Sequence, residues 1–156
     1  NVYGPFDVKH NSIPIDIANI EHIGVLHLDN FAIPFMTYNI REDKLNETGF
    51  NWFDICFYTA AIEKVFGSEY QMWTENPKIP KELKEFFLTT MKQLSKIYPF
   101  KLAILDFEVS GQYCLDDLKK PLSWTPSRFF VEDDKYKNIA IENRKYVTKI
   151  EDITYE

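Results

Sequence analysis

Little in this chain belongs to the usual equipment of catalysis: its 156 residues include only two cysteines, three histidines and five glycines. Phosphate-binding loops, dinucleotide fingerprints and the serine elbow are all missing, and so few glycines are scant material for building them. None of His10, His22 and His27 has a second histidine or a cysteine at metal-ligand spacing. A transition-metal site needs three or four converging ligands, so neither a metal nor a cofactor is expected. His22 and His27, five positions apart, would lie on opposite faces of a strand. Cys56 and Cys114 sit in no catalytic signature and read as buried free thiols in a reducing, cytoplasmic setting. Apolar runs such as ICFY and LAIL are far too short to cross a bilayer. Cations are in deficit as well: 18 Lys and Arg against 24 Asp and Glu give a formal charge of −6. That balance argues against nucleic acid or an anionic membrane as partner, because both are met by basic patches.

What the chain does have is apolar and aromatic bulk, 45% and 16% of its residues, and a length that fits one globular domain with a real core. Its charge is unevenly spread. Up to Lys78 there are five cationic and eleven anionic residues, whereas the remainder is neutral with 13 of each, so the net acidity belongs to the first half.

The segment from Gly49 to Gly67, GFNWFDICFYTAAIEKVFG, reads as a central helix over about 51–66, apolar around most of its wheel. Asn51 would cap it, Asp54 would fall in its first turn, and Gly67 would end it in a left-handed C′ conformation. Ahead of it, residues 1–12 read as an irregular entry and Ile13 to Ile20 as a short edge strand. His22 to Leu28 and Phe31 to Tyr38, joined by Asp29-Asn30, have the form of a β-hairpin. Pro34 requires its strand to be an edge or to bulge there. A second, amphipathic helix is expected over about 81–98, with Leu83, Phe86, Phe87, Met91, Leu94, Ile97 and Tyr98 on one stripe and Pro99 as its stop. Lys101 to Val109, KLAILDFEV, reads as an interior strand, and Gln112 to Lys120 as a two-turn helix. Arg128 to Glu132, Asn138 to Glu142 and Tyr146 to Ile150 would form a C-terminal β-hairpin or meander. The expected class is α+β: a single domain with a mixed or mainly antiparallel sheet and two main helices packed on it.

Candidate sites are few. Asp106 and Glu108, two apart in a strand, would share a face as a pair for acid–base work or for a hard cation, though any half-exposed strand shows this alternation. Asn46 to Thr48, NET, matches a glycosylation acceptor. A pocket between sheet and helices could be lined by Trp52, Phe57, Tyr58 and Phe107. Around the expected central helix, Glu42, Asp43 and Glu47 precede it and Glu69, Tyr70, Trp73 and Glu75 follow. Carboxylates around an aromatic anchor suit a basic protein partner. A second acidic set, Asp116, Asp117, Glu132, Asp133 and Asp134, competes for that role.

In length, acidity, aromatic content, α+β layout and lack of catalytic motifs, the chain resembles bacterial immunity proteins of contact-dependent growth inhibition and other polymorphic toxin systems. The resemblance implies a non-enzymatic, cytoplasmic inhibitor that binds a cognate toxin domain, often a basic nuclease. It rests on no motif and carries no family residue onto a numbered position. The readings from other classes are a small-molecule or peptide-binding domain and an enzyme with a site around Asp106, Glu108, Cys114 or a histidine.

Overall fold

The computed structural model describes residues 1–16, 18–40, 51–67, 78–106, 113–123, 125 and 127–153. The class is α+β, as expected, with a four-stranded antiparallel sheet and a three-stranded mixed sheet. The chain divides into two compact units, Asn1–Thr74 and Glu75–Glu156. The division coincides with the charge asymmetry: the first unit has four cationic and ten anionic residues, the second fourteen of each.

In the first unit, β1 (Val2–Phe6), β2 (Glu21–Leu28), β3 (Phe31–Ile40) and β4 (Trp52–Phe57) pair in sequence order, and α1 (Thr59–Phe66) follows. The expected hairpin is present: Leu28 pairs with Phe31 across a two-residue turn in which Asp29 adopts a left-handed φ of 47°. Pro34 lies in regular register opposite Val25, without a bulge. In a hairpin closed at Leu28–Phe31 alternate pairs exchange hydrogen bonds, so the nitrogen of Pro34 points away from β2. On that side β4 has already ended, since its last residue, Phe57, pairs with Phe35. Thus β3 is interior over Phe35–Ile40 and an edge where proline needs one.

Three expectations for this unit fail. Residues 1–12 are not irregular throughout, because Val2–Phe6 forms β1 and Phe6 bridges Ser12, and the described residues from Ile13 to Ile20 form no strand. The central helix over 51–66 is half strand: Trp52–Phe57 extends along β3 and only Thr59–Phe66 is helical, with Tyr58 rather than Asn51 at the N-cap. A short segment apolar on every side fits a buried helix and a strand equally well by period alone. Trp52, Phe53, Ile55 and Phe57 are strand formers, and six ladder positions on β3 decide the matter. Gly67 does end the helix, with a φ of 110° that disfavours any side chain and its N–H on the carbonyl of Glu63.

The second unit is built on β6 (Arg128–Val131), between β5 (Ala103–Leu105) and β7 (Val147–Lys149). Helix α2 (Lys81–Ile97) matches the expected second helix. Its Leu88 and Met91 pack with Phe130, Ile150 and Ile153 on one face of the sheet. On the other face Phe129 and Val131 join Leu118, Ile139 and Val147. The expected interior strand is therefore not β5, which pairs only with β6 among the described residues, but the fully buried FFV of β6. The expected C-terminal hairpin or meander is also absent. β6 and β7 run parallel and need a crossover, which absorbs α3 (Asp133–Tyr136) and a 3-10 helix at Ile141–Tyr146. Ile139 and Ile141 would share a face in a strand, yet one is 3% and the other 76% exposed. The two-turn helix expected up to Lys120 is reduced to a 3-10 turn at Asp117–Lys119.

One buried side chain ties this crossover down. Asn143, 0% exposed, donates from Nδ2 to the carbonyls of Leu118 (2.9 Å) and Lys120 (2.7 Å), and its Oδ1 accepts from the N–H of Leu122 (2.8 Å). Asn143→Leu keeps the volume but strips all three bonds, and should lower the unfolding free energy measured in urea by about 2–4 kcal/mol. In the first unit, a Cβ added at Gly24 would lie 2.7 Å from the ring of Phe35 and 2.9 Å from the carbonyl of Tyr3. Gly24→Ala should cost about 1–3 kcal/mol by the same measurement.

Candidate functional site

The pleat sorts the first sheet into two faces. Leu26, Ile33 and Phe35 are buried on one, the face on which Phe31 meets Phe66 of α1 at 5.2 Å. The opposite face has a row running straight across three strands, Glu21–Tyr38–Asp54, because Tyr38 pairs with Glu21 on β2 and with Asp54 on β4. Beside it runs Ile23–Met36–Cys56, with Tyr58 donating its hydroxyl to Met36 Sδ at 2.9 Å. Tyr58 is 47% exposed and Cys56 is exposed. A tyrosine between two carboxylates, with further aromatic and thioether surface adjoining, is thus presented on the face opposite the helix.

Among the described residues no cation pairs with either acid of the row, and the ion pairs found there all lie in the second unit. Burial pushes the carboxyl of Asp54 above its ordinary value. Burial, and then the charge of Glu21, push the phenol of Tyr38 up. Burial and the nearby Asp54 likewise raise the thiol of Cys56, which stays protonated at neutral pH and is a poor nucleophile. What the row offers is acceptors and ring faces for a cation, which is recognition chemistry.

No protein-family model, curated protein or solved structure matches this chain.

Glu42, Asp43, Glu47, Glu69, Tyr70, Trp73 and Glu75 lie outside the described residues, as do Phe107, Glu108 and the NET tripeptide. The second acidic set is described, and it is largely neutralised where it stands. Asp116 pairs with Lys119 at 2.6 Å, Asp133 with Lys149 at 2.5 Å and Lys137 at 3.8 Å, and Asp134 with Lys135. Hydrogen bonds from these lysines hold Asp116, Asp133 and Asp134 below the ordinary carboxylate range. Asp117 accepts the N–H of Cys114 at 2.7 Å. Glu132, Asp133 and Asp134 border an open groove of about 440 Å³ in which Lys92 and Lys96 face them, so the groove is mixed in sign.

The remaining candidates separate. Asp106 follows β5 and takes the hydroxyl of Ser127, which in turn accepts from Thr125 at 3.0 Å. Ser127 and Thr125 are 1% and 3% exposed, so this chain of hydroxyls is internal packing rather than an accessible catalytic serine. Trp52 and Tyr58 have the parity of the open face and Phe57 that of the helix face, so the three cannot line one pocket. His22 and His27 do lie on opposite faces, His27 edge-on to Tyr3 at 4.9 Å. Cys56, expected to be buried in a helix, is instead exposed on β4, and Cys114 is half-buried.

The acid–tyrosine row was missed because a helical reading of residues 51–66 hides the alternation of Trp52, Asp54 and Cys56 against Phe53, Ile55 and Phe57. The raised carboxyl of Asp54 makes a signed prediction. A carboxyl that keeps its proton to higher pH when folded than when unfolded makes the fold less stable as pH rises from about 3.8 through the folded value. Asp54→Asn should therefore be more stable than the parent at pH 7, with the advantage disappearing towards pH 4. Urea midpoints at a series of pH values read this directly; an advantage independent of pH would rule the burial penalty out.

Proposed function

We propose that this protein is an immunity protein, which binds and inhibits a basic bacterial toxin domain through the Glu21–Tyr38–Asp54 face of its first unit. The observation that carries the reading is that, among the described residues, no cation pairs with these two carboxylates, whereas Asp116, Asp133 and Asp134 each have a lysine. Asp54, half-buried, is disfavoured as an anion in the free protein and is relieved when a partner supplies a lysine or arginine, while Glu21 is exposed and adds its charge to the same face. The concentration of the whole net charge in the first unit adds a field that would speed the encounter with a basic surface. Tyr38, Tyr58 and Met36 supply the aromatic and thioether surface that fills the centre of such interfaces.

The test is inhibition of, and binding to, the toxin domain encoded beside this protein. Glu21→Lys together with Asp54→Lys should slow association by roughly tenfold at low salt and flatten its dependence on ionic strength. Reversing Asp116, Asp133 and Asp134 should change association by less than about twofold, since their charge is already compensated. Binding by the unaltered protein should also weaken as pH falls towards 4, because a protonated Asp54 no longer attracts a cation. Equal effects from the two acid sets would sink this assignment of the face, and a neighbouring gene that encodes no toxin would sink the function.

A further inference from the structure

The two edges of the four-stranded sheet are finished differently. On β1, Pro5 lacks an N–H, the register shifts between Tyr3 and Phe6, and the outer side is covered where Phe6 bridges Ser12 and Ile13 N–H bonds the carbonyl of Pro5 at 3.0 Å. These are the devices by which sheets protect an edge from unwanted pairing. On β4 none of them is found among the described residues: WFDICF has no proline and no lysine, and all six residues keep unbroken register with β3. The bonding alternation set by the hairpin turns the even residues of β3 towards β4, so Phe53 and Ile55 direct their N–H and C=O groups outward. Among the described residues those groups meet no partner. Phe53 is 58% exposed, so a bulky apolar side chain also stands at this edge.

We propose that β4 is a docking strand, onto which an extended basic segment of the partner protein adds as a fifth strand. The inference rests on the functional reading above and specifies its geometry. A strand laid along β4 extends each cross-strand row by one position, so that Glu21–Tyr38–Asp54 gains a fourth member whose Cβ lies about 5 Å from that of Asp54. The unpaired acid selects lysine or arginine there. The neighbouring positions on the other face lie beside Phe53 and Ile55 and select apolar side chains. The occupant therefore has the pattern apolar–cation–apolar, and main-chain bonds to Phe53 and Ile55 supply affinity while the cation supplies register. A second copy of this chain suits the edge less well, because it would bring a net charge of −6 against its equal.

The probe is a capped heptapeptide, Thr-Val-Thr-Val-Lys-Val-Thr, added at millimolar concentration to the isotopically labelled full chain and followed by amide shifts and hydrogen exchange. Expected are shifts along β4, slowed exchange at Phe53 and Ile55, and loss of both when the peptide lysine is replaced by glutamate. Asp54→Lys should reverse that preference. Phe53→Pro removes an outward N–H as well as the ring and leaves the β3 ladder intact, so it should weaken peptide binding roughly fivefold more than Phe53→Ala, which removes the ring alone, the difference being one hydrogen bond. No shift on β4, equal response to both peptides, or β4 shifts that track protein concentration without peptide would each overturn the proposal, the last in favour of self-pairing. Failure here is distinguishable from failure of the functional reading. A toxin complex weakened by Asp54→Lys but indifferent to Phe53→Pro, with Phe53 and Ile55 still exchanging freely, discards strand addition and leaves the inhibitor standing.

Discussion

The register of one hairpin determines where every side chain of the first sheet points. Asp29 in a left-handed conformation closes β2 on β3 at Leu28–Phe31, and from that pair the alternation of bonded and non-bonded positions runs without interruption to Glu21–Tyr38. A slip of one residue would carry Leu26, Ile33 and Phe35 from the helix-covered face to the open one and send Tyr38 the other way. The same alternation makes Pro34 harmless, assigns the even residues of β3 to β4, and aligns Glu21, Tyr38 and Asp54 in a single row. Gly24 reinforces it, since only a residue without Cβ leaves room for the ring of Phe35 and the carbonyl of Tyr3.

That hairpin was legible because its signals are local: two strand-like runs and a turn dipeptide that tolerates positive φ. Helix α2 was legible for the same reason, its stripe and its flanking prolines all lying within twenty residues. What could not be read was anything decided by a distant partner. Residues 52–57 are strand because β3 has six free ladder positions; nothing within WFDICF excludes a helix. Ile139 and Ile141 look like one face of a strand, but β6 takes β7 as a parallel neighbour, and the residues between must arch over the sheet instead of returning in a hairpin. The candidate row across the first sheet belongs to this second kind, since Glu21, Tyr38 and Asp54 are spread over 34 positions and meet only through register.

The crossover in the second unit is held through one side chain. From within it, Asn143 donates to the carbonyls of Leu118 and Lys120 and accepts from the N–H of Leu122, in the segment that precedes β6, and a carboxamide can donate twice and accept once in this way. The surface of the same unit is stitched by short-range lysine–carboxylate pairs, most of them exposed. Pairs of that kind contribute little to stability individually. Their consequence is electrostatic silence: acids that are numerous in sequence cancel close to where they stand.

That contrast bears on which carboxylates can act at a distance. Counting acidic residues ranks Asp116, Asp117, Glu132, Asp133 and Asp134 highly, because they are clustered and conspicuous. Counting ion pairs among the described residues ranks Glu21 and Asp54 above Asp116, Asp133 and Asp134, although the two lie 33 positions apart and belong to no cluster in the sequence. A field that reaches solvent is the sum over all neighbours, so a carboxylate 2.5 Å from a lysine contributes chiefly a dipole, while an ionised carboxylate without such a neighbour contributes a net charge. Burial strengthens the case for Asp54, since an acid whose ionisation is already opposed by its surroundings gains more from an incoming cation than one still fully hydrated. The side chains best suited to recognise a basic partner are thus those the fold leaves unsatisfied, and these emerge only once the strands are in register.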